Sequence, residues 1–262
     1  MQSVEVGGRL LLALAEHPEP MTLKDLAAAA ELPPSRAHPY LVSFGKLGLV
    51  EQLADSGRYA LGPAALRIGL ACLHQLDATK AALPIAQALA TQTGHAVALA
   101  VWGNFGPTIV RMFEARQPLH IAMRAGTVMS ILGTATGLAF AAVMPPERVQ
   151  RALAQALGEA GGVAQPLLPR RDAAARDLRE RSAEVRAHGG VARAVGRPIP
   201  GVNAFSAAAF DHDGEPALAI TLLGHQDDFP SDWDSPQAQA VRQAAADISQ
   251  RLGWRAAPPA TT

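Results

Sequence analysis

Ser35, Arg36, His38, Tyr40 and Ser43 bring hydroxyl, guanidinium, imidazole and phenol groups into nine consecutive positions. An arginine can bond two acceptors on the major-groove edge of guanine, and serine or tyrosine hydroxyls can hold phosphates. A second, looser set lies farther on. Thr134 and Ala135 fall near an expected helix start, where backbone N–H groups can meet an anionic or carbonyl ligand, and Asn203 and Thr221 offer polar side chains from expected strands. Small residues at such places serve close packing equally well, so both readings stand. Asp211-His212-Asp213 has metal-ligand types, but on an expected hairpin turn, and no metal is assigned to it. No nucleophile elbow, phosphate loop, dinucleotide fingerprint or His-Glu-x-x-His stretch occurs. The eight histidines are scattered, and His95 and His120 read as ordinary strand residues. No catalytic residue and no cofactor is therefore expected, although dispersed residues could still converge in the fold.

The Ser35–Ser43 cluster needs a helix to present it, and the flanking sequence supplies one. Ser3 can cap a first helix reaching to about Glu16, with Val6, Leu10, Ala13 and Leu14 on one face and Gly7 and Gly8 weakening it. Thr22 and Asp25 read as a cap for a second helix. Pro34 suits the first position of a third, which stops at Gly48. On that helix Ala37, Leu41 and Phe44 should pack inward, whereas Ser35, Arg36, Pro39, Tyr40 and Ser43 should face outward. Pro39 removes an N–H and leaves the Ser35 carbonyl unpaired, so the helix is expected either to bend there or to begin near His38. Leu49–Leu53 and Arg58–Leu61 flank Ala54-Asp55-Ser56-Gly57, a hairpin turn. Three helices and a hairpin in this order suit a winged helix-turn-helix, or a plain three-helix bundle.

Length and composition bound the rest. The chain of 262 residues has room for two unequal domains, and 49% hydrophobic residues suffice for a sizeable core. Formal net charge is zero, so no global field draws the protein to nucleic acid, and any such contact must use a local arrangement of charge. The single cysteine, Cys72, excludes an internal disulfide framework. No apolar run reaches membrane-spanning length, and a cytoplasmic location with no membrane partner is expected.

Beyond Pro63, a linker helix to about Leu76 carries apolar residues on more than one side, which suggests packing against another chain. A helix from Lys80 to Thr93 follows. Strands are expected at Ala96–Trp102, Thr108–Glu114, Leu119–Arg124, Val191–Val195, Val202–Phe210 and Ala217–Leu223. Helices are expected at Ser130–Met144, Glu147–Leu157, Arg170–Arg186 and Ser235–Leu252. This mixture is α+β in two or three layers.

Several ordered stretches carry a resemblance: Leu23-Lys24-Asp25-Leu26-Ala27, Leu32-Pro33-Pro34-Ser35-Arg36-Ala37-His38, Leu47-Gly48-Leu49-Val50 and Gly57-Arg58-Tyr59-Ala60-Leu61-Gly62. Together they resemble the DNA-binding domain of the isocitrate lyase regulator (IclR) family. Pro118–Gly126, Gly133-Thr134-Ala135-Thr136-Gly137 and Gly201–Ala207 resemble its second domain. The resemblance implies a winged helix-turn-helix over 1–62, a linker helix over 63–79 and a GAF-like effector-binding domain over 80–255; the tail over 256–262 is expected from its own residues to be disordered. It also implies a regulator of transcription, assembled as a homodimer or homotetramer, that binds double-stranded DNA at a palindromic operator and senses a small carboxylated or aromatic effector. The implied DNA contacts are Ser35, Arg36, His38, Tyr40, Ser43 and, on the wing, Arg58. The implied effector site is Met129, Gly133, Thr134, Ala135, Asn203, Ala204 and Thr221. The chain departs from the family at Pro39, where members usually carry a basic residue. Ala194 and Ala204 stand where some acid-binding relatives carry a carboxylate or cysteine, which suggests a more apolar effector. A small-molecule binder without DNA, or an enzyme with a dispersed site, are the alternatives.

Overall fold

The computed structural model describes residues 2–116, 119, 121, 123–159 and 171–255, and the chain divides between Leu76 and Asp77 into two units. His120 and the expected 256–262 tail lie outside the described residues.

In the first unit, α1 (Gln2–Glu16) buries Val6, Leu10, Ala13 and Leu14, the face read from spacing. Each of the larger side chains contributes about 1.5–3 kcal/mol on burial, enough to offset about 1 kcal/mol for each of Gly7 and Gly8. Gly7 is also a contact: a Cβ there would lie 2.8 Å from Cζ of Phe44 and 3.3 Å from Cδ1 of Tyr40, so its absence lets both rings close on α1. Thr22 caps α2 (Leu23–Ala29), accepting from the Asp25 N–H at 3.2 Å and donating to its carboxylate at 2.7 Å. α3 (Pro34–Lys46) runs through Pro39 without interruption, so the expected start near His38 is not what forms. Ser35 is exposed, and solvent can meet the carbonyl that Pro39 leaves unpaired, which makes the proline tolerable. The Ser43 hydroxyl donates back to the Pro39 carbonyl at 3.0 Å. Strands β1 (Val50–Gln52) and β2 (Tyr59–Leu61) pair antiparallel, and Met21 and Tyr59 exchange both backbone hydrogen bonds, tying the wing to the α1–α2 connection. α4 (Pro63–Gln75) buries no residue and leaves Leu66, Ile68, Leu70 and Leu73 exposed.

The second unit is built on a five-stranded antiparallel sheet of order β4-β3-β7-β6-β5: β3 (Ala96–Gly103), β4 (Gly106–Phe113), β5 (Val191–Val195), β6 (Val202–Phe210) and β7 (Pro216–His225). α5 (Ala78–Thr93) and α9 (Pro236–Arg251) cover one face, and α6 (Ala135–Val143) with α8 (Arg171–Ala187) cover the other. α7 (Pro146–Glu159) lies beside β4. Strand pairing sets Ala98, Thr221, Ser206 and Ala192 in one cross-sheet row, and Ala96, Leu223, Ala204 and Ala194 in the next, all on the α6 face. Small side chains there let α6 approach closely, and this helix is buried nearly all round.

The sequence pattern extends α6 back to Ser130, but the helix begins at Ala135. Thr134 has extended backbone and caps it, with Oγ1 accepting from the Gly137 N–H at 3.0 Å, and the Gly133 N–H turns back to the Ser130 hydroxyl. Leu119, Ile121, Met123 and Arg124, the described residues of another expected strand, belong to none; the first three pack against a buried cluster that includes Ala98 and Ile109.

Candidate nucleic-acid interface and ligand cavity

α3 presents its polar groups on a definite face. At about 3.6 residues per turn, Ser35, Pro39, Val42 and Lys46 fall in one line along the middle of its exposed side. Arg36 and Ser43 flank that line on one edge and His38 on the other, and all three are exposed. The helix carries Arg36, His38 and Lys46 and no carboxylate. Tyr40 departs from the expectation: it is half-buried, packed on the core with its ring toward Gly7, because its angular position turns it toward α1. Arg58 is exposed but partly engaged, with Nη1 donating to the Pro20 carbonyl at 3.3 Å.

In the second unit a small cavity opens where α6 begins against the sheet. Met129, Thr134, Ala135, Ala204 and Thr221, five of the seven effector-site residues read from sequence, line it. Asn203 does not. Strand alternation puts it on the opposite face, where its Nδ2 donates to the Phe229 carbonyl at 2.9 Å and its Oδ1 accepts from the Gly196 N–H. Gly133 is a turn residue outside the lining. The sequence reading missed Ala98, Thr136, Leu223 and Arg197 as lining residues. The two-residue alternation that includes Thr221 and Leu223 was a usable signal for Leu223, whereas Arg197 is brought in by the β5–β6 connection and has none.

Polar chemistry in the cavity is narrowly defined. Ser206 Oγ donates to the Ile220 carbonyl at 3.2 Å, and Thr221 Oγ1 donates to Ser206 at 2.8 Å. The 2.8 Å contact between Thr136 and Thr221 must then use the Thr136 proton, because each hydroxyl has only one. Thr134 likewise spends its proton on the Ser130 carbonyl at 2.8 Å. These buried hydroxyls therefore have no proton left for a ligand. Among the described lining residues, the donors left include the Ala135 and Thr136 N–H groups, in the first turn of α6 without helical partners, and the exposed Arg197 guanidinium at the rim. The rest of the wall is apolar and includes Ala98, Ile109, Met123, Met129, Ile199, Val202, Ala204 and Leu223. A void of about 40 Å³ holds only a few waters, so a metabolite must displace side chains to enter, and the two methionines are the adaptable ones.

Ile199 and Val202 also wall a larger cleft of about 550 Å³ lined by His95, Arg116, His225 and Asp228. His95 packs edge-on to Phe229 at 5.0 Å. Burial pushes its imidazole below the ordinary histidine value, and the carboxylate of Asp228 only partly opposes this. The unfolded chain then binds the proton more readily than the folded one, so stability falls as pH drops through the ordinary histidine range and levels off below the folded value. In urea unfolding, His95→Gln is expected to flatten that acid-side decline relative to the native chain; identical pH profiles would count against the assignment. Asp211, His212 and Asp213 come together in the β6–β7 turn, but the Asp211 carboxylate is engaged in it, accepting from the Asp213 and Glu215 N–H groups at 3.0 Å.

The chain matches two family profiles: the IclR helix-turn-helix domain over residues 3–54 and the C-terminal domain of bacterial IclR transcriptional regulators over 70–250. Among solved structures, Pseudomonas aeruginosa HmgR superposes with a TM-score of 0.85 and 33% identity, covering 97% of this chain and 99% of that one. Among curated relatives, the regulator KipR of Bacillus subtilis is 25% identical over 93% of this chain and 94% of its own. The repressor IclR of Escherichia coli is 24% identical over 97% and 90%. KipR and the Escherichia coli repressor are regulators of transcription, which favours a regulator over the alternative of an enzyme with a dispersed site. No helix among the described residues is long and apolar enough to cross a membrane. An exposed, carboxylate-free third helix beside a two-stranded wing, followed by a sheet domain with a cavity at a helix start, is thus accounted for by descent: the chain belongs to the IclR family of transcription regulators, with a DNA-binding helix-turn-helix at its N-terminal end.

Proposed function

We propose that this regulator acts in the cytoplasm as a homodimer or homotetramer, docks α3 in the major groove of each half of a palindromic operator, and responds to a small metabolite held at the start of α6. The observation that carries the DNA reading is the exposed face of α3, with Arg36, Ser35, Ser43 and His38 accessible and no acidic group on the helix. Exposed Leu66, Ile68, Leu70 and Leu73 on α4 support self-association, since a large apolar patch left in water marks an interaction surface. The cavity favours an effector with an apolar body and one anionic or carbonyl end, because methyl, thioether and committed hydroxyl groups surround the first-turn N–H groups of α6, which have no partner within the helix. Binding acts on DNA affinity only through differential affinity for two arrangements of the protein.

The deciding experiment is binding of the full chain to its own promoter region, or to a sequence selected from random duplexes, across a salt series. Sequence-preferred binding that weakens steeply with salt is expected, with the logarithmic slope reporting the phosphates neutralised. Equal affinity for selected and scrambled duplexes would remove the proposal.

A further inference from the structure

The middle of the α3 outward face is apolar where a groove-reading helix usually places hydrogen-bonding groups. Val42 is 46% exposed, one turn beyond the exposed ring of Pro39, and the pair lies between Ser35 and Lys46 on the central line. The inward face is filled by Ala37 and Leu41, with Phe44 and Tyr40 beside them, and Val42 stays outside that core, its inner edge lining a groove with Val50 and Gln52 of the wing. The charge around the pair is cationic, from Arg36 on one flank and Lys46 at the end of the line, and neither makes an ion pair among the described residues. A surface with an apolar centre and cationic margins complements one apolar feature of duplex DNA, the C5-methyl group that thymine projects into the major groove between phosphate rows.

We infer that Pro39 and Val42 read thymine methyl groups on neighbouring base steps of each operator half-site. This rests on α3 being the element that enters the groove, as proposed above. Three residues of helix advance about 4.5 Å, close to the roughly 3.4 Å between successive bases of one strand, so the two side chains reach adjacent steps and not the same one. The polar neighbours then fix register while the apolar pair supplies discrimination. Cytosine has only hydrogen at C5 and an amino group where thymine has O4, so it gives Val42 no methyl to contact and sets a donor beside an apolar side chain.

The test uses a duplex selected by the full chain from a random library. Each thymine is replaced in turn by deoxyuridine, which keeps base pairing and deletes only the methyl group. Loss of affinity by about three- to fivefold is expected at two adjacent positions per half-site, the amount that follows from one buried methyl, with little change at the other thymines. Val42→Ala is expected to remove the deoxyuridine effect at one of the two positions and leave the other. The variant lies on the surface and replaces valine with a better helix former, so it should retain the native melting temperature. A flat deoxyuridine profile with the native chain overturns the inference while leaving DNA binding intact. An unaltered profile in Val42→Ala overturns the assignment to this residue. Failure to select any preferred duplex overturns both this inference and the proposed function.

Discussion

Gly137→Ala is expected to destabilise the second unit by about 3 kcal/mol, the upper end of ordinary overpacking penalties. A Cβ at this position would lie 2.3 Å from the Ser130 carbonyl oxygen, 2.5 Å from that of Ile131 and 2.6 Å from the Ile131 Cα. All three are backbone atoms, so no side-chain rotation relieves the clash. Either the 130–134 turn or the first turn of α6 must move. Movement breaks the Thr134 cap, whose Oγ1 accepts from Gly137 itself, and pulls Thr136 away from Thr221. The usual gain of about 1 kcal/mol for replacing a helical glycine with alanine is therefore overwhelmed. At about 2–4 °C per kcal/mol for a unit of this size, the melting temperature should fall by roughly 6–12 °C. Gly8 provides the control. It is also helical, but nothing lies within 4 Å of its would-be Cβ, so Gly8→Ala should be neutral or stabilising. An unchanged melting temperature for Gly137→Ala would mean that α6 does not pack as described.

Much of this architecture is legible in the sequence because its signals are local. The cap at Thr22, the stop at Gly48, the hairpin after Leu53 and the strand spans Val191–Val195 and Val202–Phe210 all follow from periodicity and turn chemistry. The extent of α6 was harder to read. Ile131 and Leu132 continue the apolar pattern of the helix, but the hydroxyl bonds of Ser130 and Thr134 turn the chain there instead. Tyr40 and Asn203 illustrate a second limit. Each looks available for function as a polar residue near a candidate site, yet its direction is set by a partner distant in sequence: Gly7 admits the tyrosine ring, and the Phe229 carbonyl holds the asparagine amide. The hydroxyl chain from Thr136 to Ser206 is not legible at all, because it joins a helix to two strands across 85 and 15 positions. The resemblance carries Met129, Gly133, Thr134, Ala135, Asn203, Ala204 and Thr221 across as a set, of which five line the cavity and Gly133 and Asn203 do not. It could not supply the direction of each proton.

Arg36→Ala is expected to weaken operator binding by about one to two orders of magnitude at matched salt while leaving effector affinity unchanged, in line with roughly 1–3 kcal/mol for a specific arginine contact. Arg36 stands in the first turn of α3 on an exposed flank, and no ion pair among the described residues competes for its guanidinium. Its loss therefore carries little cost to folding, so the effect should appear in binding and not in melting temperature. The variant also distinguishes the contacted group. If Arg36 bonds a phosphate, the loss is uniform across operator sequences and the salt slope falls by about one unit. If it forks onto guanine, discrimination at one base pair relaxes, and Arg36→Lys fails to restore it because an ammonium cannot make the paired bonds. Arg58 supplies the contrast. Its guanidinium already donates to the Pro20 carbonyl, so Arg58→Ala should loosen the wing as well as remove any DNA contact, lowering stability and affinity together. If Arg36→Ala binds as the native chain does, α3 enters no groove by this flank, and the reading of its exposed face as the recognition surface fails with it.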